Sequence, residues 1–336
     1  MSEQVHRVQG NGYCLVFCKD GMCMLRIDSL EREMEDVRVK EAPAGVSIEK
    51  RRDLSKRWLS LYGHYAHTLN ALQLLRGSAL LQANRFALRE LTSLRLADVF
   101  PIIIDEARIM PVIDYSYGAE SFSATRDALR NSRHPWNYDP SLPIEDDKRI
   151  ARRGETPEGV FRQTVEQFEK AHQDPDAIEV LNETLIALDN FNVANYPVAL
   201  IQAWFLIELF INKLWIEFLS EQNTTSIDLG PRINKARRDF LTGRVSAAVV
   251  SNMLELTGRI DQKTFQQINS LRGVRNQVSH SLDRTKRMID KKLKQNAMEK
   301  ESNAVSADDC RTAFQVVGSF IERAYKIQLG ITEGAL

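Results

Sequence analysis

The feature that most constrains this chain is one apolar segment, Tyr196–Leu219 (YPVALIQAWFLIELFINKLWIEFL). Its length would suffice for a membrane span, for which about 20 apolar residues are enough. Glu208, Lys213 and Glu217 interrupt it, however, and each would be costly at bilayer depth. A core helix of a folded helical domain is the reading that accommodates both the length and the charges.

Helical periodicity dominates the chain around that segment. From Ser47 onward, Leu54, Trp58, Leu61, Tyr65 and Leu72 recur at spacings that form one apolar stripe over several turns. Leu88–Val99 reads as another helix, stopped by Pro101. Helices are also expected from near Gly159, near 246–257, over 261–281 and from Asp308 to Ile327. On the last of these, Ala313, Val316, Val317, Phe320 and Ala324 fall on one side. The exception lies at the start, where YCLVF and MCMLRI flank Lys19-Asp20-Gly21. Asp-Gly between two apolar runs predicts a β-hairpin over about 13–27. The segment VFPIIIDEARIMPVIDYSYG, broken by Pro101 and Pro111, fits a buried strand and short helices equally.

At 336 residues the chain has length for about two domains. Residues 131–158, with four prolines and charges of both signs, read as a linker. The expected organisation is mainly α. An N-terminal, mostly helical region spans 1–175 and opens with a small hairpin; a helical domain over 176–330 follows. The start MSEQVHRVQGNGY has no apolar run behind a basic end, so no secretory leader is expected and the cytoplasm is the expected location. Cys14, Cys18 and Cys23 cluster without a CxxC pair or a nearby downstream histidine. They read as small buried thiols in a reducing compartment, with zinc ligation as the alternative.

Several chemistries lose their usual support, because the sequence holds no P-loop, no GxGxxG after a strand, no HExxH and no GxSxG. His64 and His67, three apart on a helix, lack an obvious third metal ligand and read as packing residues. His6, His134 and His172 lie in polar surroundings and read as solvated.

His280 is different. In LRGVRNQVSH (271–280), Ile268, Leu271, Val274, Val278 and Leu282 form an apolar helix face, within an arc of about 120°. Asn276 and His280 point away from it, one turn apart. Arg275 projects from the Ile268 side, with its stem partly covered. A guanidinium, an amide and an imidazole suit metal-free RNA cleavage. Histidine titrates near neutrality and can act as base or acid, and arginine can hold the charge that builds on the phosphorane. On one ideal helix Arg275 and His280 stand about 140° apart, so a single copy makes an incomplete site.

The run Arg275-Asn276-Gln277-Val278-Ser279-His280 resembles the RxxxxH signature of HEPN domains, in which a polar residue commonly follows the arginine. The long helix bearing Glu208 before it and the helix SADDCRTAFQVVGSFIERA after it extend the resemblance to roughly 178–330. What it implies is an all-α, commonly homodimeric bundle, often a metal-independent endoribonuclease of antiviral defence or of a toxin. Other members are catalytically silent and serve dimerisation and partner binding. By this resemblance Arg275 and His280 match the catalytic pair, Asn276 its polar companion and Glu208 the acidic residue of the first helix. No cofactor and no metal are expected. RNA and a second copy are the expected partners, with a regulatory protein for the N-terminal region and no membrane.

Arg284, Lys286, Arg287, Lys291 and Lys292 follow the signature in a chain whose 45 basic and 45 acidic residues balance. This local excess could grip RNA phosphates without reading sequence. The alternative is an ordinary solvated face.

Overall fold

The computed structural model describes residues 4–18, 23–40, 48–87, 158–223, 225–226, 230–231, 233–243, 245–292 and 305–331. Among the described residues the chain is mainly helical, with one small antiparallel sheet at its start. It divides into two compact units, Met1–Leu185 and Ile186–Leu336.

The N-terminal unit opens with three strands, β1 (Gln4–Gln9), β2 (Tyr13–Cys18) and β3 (Cys23–Ile27), paired in that order. β2 and β3 are the two strands of the expected hairpin, antiparallel with Leu15 opposite Leu25. β1 is a third strand that the apolar pattern did not announce. It turns back through Gly10-Asn11-Gly12, where the Gly10 amide donates to the Tyr13 carbonyl and Gly12 adopts a φ of 82°. A Cβ at Gly10 would collide with the Tyr13 ring, so the close return of β1 depends on glycine there.

Tyr13, Leu15 and Phe17 share one face of β2 and Cys14 and Val16 the other, and all five are buried. Helix α1 (Asp28–Lys40) follows, then α2 (Ile48–Ala87). Leu61 and Leu72 of the expected stripe are buried on α2. The Tyr65 hydroxyl donates to Glu31 Oε1 (2.7 Å) and accepts from the Ile27 amide (3.2 Å), tying α2 to α1 and to the end of β3. Helix α3 (Glu158–His172) packs on α2. Helix α4 (Pro175–Asn192) contributes Asn182, whose Oδ1 accepts from Asn70 Nδ2 of α2 at 2.7 Å, with both residues buried. The border between the units falls inside α4. The expected helix over 88–99, the apolar segment after it and most of the 131–158 linker lie outside the described residues.

The C-terminal unit is built around α5 (Tyr196–Glu221), the apolar segment of the sequence. Ala203, Trp204, Ile207, Phe210, Ile211, Leu214 and Trp215 form its buried face. Four helices follow: α6 (Lys235–Gly243), α7 (Ala247–Leu256), α8 (Gln262–Lys292) and α9 (Ala307–Tyr325). All four pack on α5, and α8 also packs on α7 and α9. A two-residue ladder, β4 (Thr225–Ser226) with β5 (Gly230–Pro231), links α5 to α6. Ser306 starts α9 through a capping box with Asp309, each side chain bonding the other's backbone amide. Phe320 stacks on Phe210, and Tyr325 meets the same ring edge-on. Trp215 Nε1 donates to the Leu241 carbonyl at 2.9 Å, which fastens the end of α6.

Two details differ from the sequence pattern. Ala324 is exposed on α9, while Ile321 and Tyr325 are buried in its last turns. The apolar segment is also not buried all round, since Phe205, Leu209 and Ile216 are exposed. By length and composition alone α5 could still cross a membrane, although half of its apolar window is buried within the protein.

Candidate functional site

Helix α8 carries the signature. Its start is set by Asp261, whose carboxylate accepts from the Thr264 amide at 2.7 Å; these hydrogen bonds hold its pKa below the usual carboxylate range. Ile268, Leu271 and Val278 are buried and Val274 is half-buried, so the expected apolar face is the anchored one. Asn276 is exposed on the opposite side. Arg275 is half-buried, as its place beside Ile268 requires, and its Nη1 donates to Asn276 Oδ1 at 3.2 Å. His280 follows Asn276 by one turn on the same helix. Beyond Val278 only the backbone of α8 is described. Glu208 is half-buried on α5, which packs on α8.

Two residues of the same face were missed by reading forward from Arg275. Asn269 and Arg272 lie two turns and one turn before Asn276. At about 100° per residue, Asn269, Arg272, Asn276 and His280 fall within an arc of about 80°, whereas Arg275 lies about 140° from His280. Asn269 Oδ1 and Arg272 Nη1 are buried and make no hydrogen bond among the described residues. A buried guanidinium N–H without an acceptor is costly, and an anionic oxygen is the acceptor that suits it best. The spacing that places Arg272 three before Arg275 and four before Asn276 was available in the sequence as the signal.

The basic residues continue this pattern only in part. Arg284, Arg287 and Lys291 occupy helical positions on the His280 face, which therefore runs 269, 272, 276, 280, 284, 287, 291 in steps of three and four. Lys286 and Lys292 occupy positions on other faces of α8, whereas the position of Asp283 falls within the His280 face and that of Asp290 on its Arg272 edge. The helix thus brings three of the five basic positions into line with His280 and leaves two aside.

The chain matches no family model, no curated protein and no solved structure.

Other sequence candidates are placed differently from the expectation. His6 and His172 are not simply solvated. His6 stands between the rings of Phe17 and Phe161, with centroids at 6.3 and 6.2 Å. His172 stacks on Phe168 and meets Tyr13 edge-on, and its burial lowers its pKa by disfavouring the charged ring. The Tyr13 hydroxyl donates to Glu169 Oε1 at 3.2 Å; burial and that carboxylate push its pKa up. These side chains form an aromatic seam between the β1–β2 pair and α3. His67 is half-buried on α2, in keeping with packing, but His64 is exposed. His134 lies outside the described residues. Cys14 is a buried free thiol. Among the described residues no three His, Cys, Asp or Glu side chains converge as a metal site would require.

Proposed function

We propose that this chain is a metal-independent endoribonuclease of the HEPN type, acting in the cytoplasm in antiviral defence or as a toxin-like stress response. The observation that carries the reading is the division of α8 into an anchored apolar face and an opposite face bearing Asn269, Arg272, Asn276 and His280. In the proposed step the ribose 2′-oxygen attacks the adjacent phosphorus. Its proton passes to a base, the bond from phosphorus to the 5′-oxygen breaks, and that oxygen takes a proton as it leaves. His280 serves as base or acid, the Arg275 guanidinium stabilises the charge on the phosphorane, and Asn276 orients the phosphate or Arg275 itself. The product is a 2′,3′-cyclic phosphate and a 5′-hydroxyl. Glu208, half-buried on the neighbouring helix, is a positioning residue in this scheme. Arg284, Arg287 and Lys291, on the His280 face, hold the strand by charge, with Lys286 and Lys292 adding to the field around it. The N-terminal unit is the regulatory or partner-binding part.

A second reading is a catalytically silent HEPN module that dimerises and binds a partner. The contact between Arg275 and Asn276 favours it, because it engages the guanidinium and the Asn276 amide with each other rather than with a substrate. Cleavage assays on a labelled RNA in EDTA decide between the two. The nuclease reading expects cutting by the wild type and loss of it in His280→Ala and in Arg275→Ala. Absence of cutting by the wild type, or equal cutting by both variants, would leave the silent module.

A further inference from the structure

Helix α5 has two apolar faces, and among the described residues only one of them is buried. On the outer one, Val198, Phe205, Leu209 and Ile216 are 39%, 58%, 47% and 51% exposed. With Gln202 and Asn212 they fall within an arc of about 80°, opposite the buried face. The positions 198, 202, 205, 209, 212 and 216 advance in alternating steps of four and three, the rhythm of a helix-pairing seam.

The order of side-chain types along the seam reads the same from either end. It runs Val198, Gln202, Phe205, Leu209, Asn212, Ile216: apolar, amide, apolar, apolar, amide, apolar. Laid antiparallel about an axis at position 207, two such helices set Val198 against Ile216, Gln202 against Asn212 and Phe205 against Leu209. Carboxamides donate and accept, so the amide pair satisfies itself across the seam. The Gln202 Oε1 accepts from Asn190 Nδ2 at 3.0 Å, which leaves its N–H groups to donate to the facing Asn212. A contact between two identical chains about a two-fold axis requires this self-complementarity; a lipid surface or an unrelated partner does not.

We infer that the outer seam of α5 is a self-association face, on which a second copy of this chain docks as an antiparallel helix pair. The four apolar residues expose roughly 350 Å² on ordinary side-chain areas, at the size where an exposed apolar patch marks association. That is nearly half of the roughly 800 Å² per partner found in stable interfaces, leaving the rest to the flanks of the helix. The HEPN resemblance also implies a second copy, but this face is argued from α5 alone and uses none of the α8 residues on which the nuclease reading rests.

Charge exchange across the seam tests both the partner and the direction. Sedimentation velocity on the full chain, at micromolar concentration with reductant, should give twice the chain mass. Phe205→Glu combined with Leu209→Glu sets like charges against each other twice and should yield a monomer. Phe205→Glu combined with Leu209→Lys sets Glu against Lys at both contacts and should restore the dimer. Circular dichroism should match the wild type in both variants, since the replaced side chains are exposed. A monomeric wild type, a double-Glu variant that remains dimeric, or a Glu/Lys variant as monomeric as the double-Glu one would each overturn the inference. A dimeric wild type that cuts no RNA would sink the nuclease reading and leave this one standing.

Discussion

Leu271 is the residue on which the anchoring of α8 can be weighed. It is buried at the middle of the apolar face, between Ile268 and Val278. Leu271→Ala removes the branched end of the side chain and leaves a cavity that rigid helices only partly close. Buried Leu→Ala changes cost about 2–5 kcal/mol, and neighbouring Val274, only half-buried, allows some collapse. We therefore expect about 3 kcal/mol, a large part of the roughly 5–15 kcal/mol that holds a domain together. For a unit of this size each kcal/mol moves the melting temperature by about 2–4 °C, so the shift should be about 6–12 °C downward. The control is Asn276→Ala on the exposed side of the same helix, which should stay within about 0.5 kcal/mol of the wild type. Thermal melts followed by circular dichroism and by fluorescence suit the purpose, since Trp204 and Trp215 lie in the buried face of α5. Equal melting of Leu271→Ala and wild type, or an Asn276→Ala variant as unstable as Leu271→Ala, would show that the two faces of α8 are wrongly assigned.

Three further outcomes are expected. Reversing Arg284, Arg287 and Lys291 together should weaken RNA binding and flatten its salt dependence, because fewer counterions are released; binding curves at two salt concentrations that superimpose on the wild type would deny these residues that role. Burial lowers the His172 pKa in the folded state, so the unfolded chain binds its proton more readily. Stability from this group is therefore full above about pH 6.5 and falls as the pH drops through the lower folded-state value; urea titrations across that window should show a shallower fall in His172→Phe. The Cys310 thiol is fully buried and its pKa is pushed up to about 12, chiefly by that burial, so native protein should react with a thiol reagent only as fast as it unfolds. Rapid labelling of Cys310 in the native state would contradict its placement.

Much of the fold was legible because helical burial repeats at short range. Val316, Val317 and Phe320 on α9, and Leu61 and Leu72 on α2, could be assigned to a core from spacing alone. What escaped were features set by distant partners. β1 carries only Val5 and Val8 as aliphatic residues in QVHRVQ, and it is a strand because its backbone pairs with β2. His172 became an aromatic packing residue through Tyr13, far away in the chain. The outer seam of α5 escaped for another reason, since an apolar residue looks the same whether its own chain or a second copy covers it. At the candidate site, the signature drew attention to Arg275, while the helical arc also gathers Asn269 and Arg272.

The proposed cleavage begins with attack by the ribose 2′-oxygen, and that atom can be blocked. One RNA strand and the same strand methylated at every 2′-oxygen would be incubated in EDTA with the wild-type chain, and the product ends identified by mass. We predict that the unmodified strand is cut to leave a 2′,3′-cyclic phosphate and that the methylated strand stays intact. Equal cutting of both strands, or of neither, would contradict the central claim.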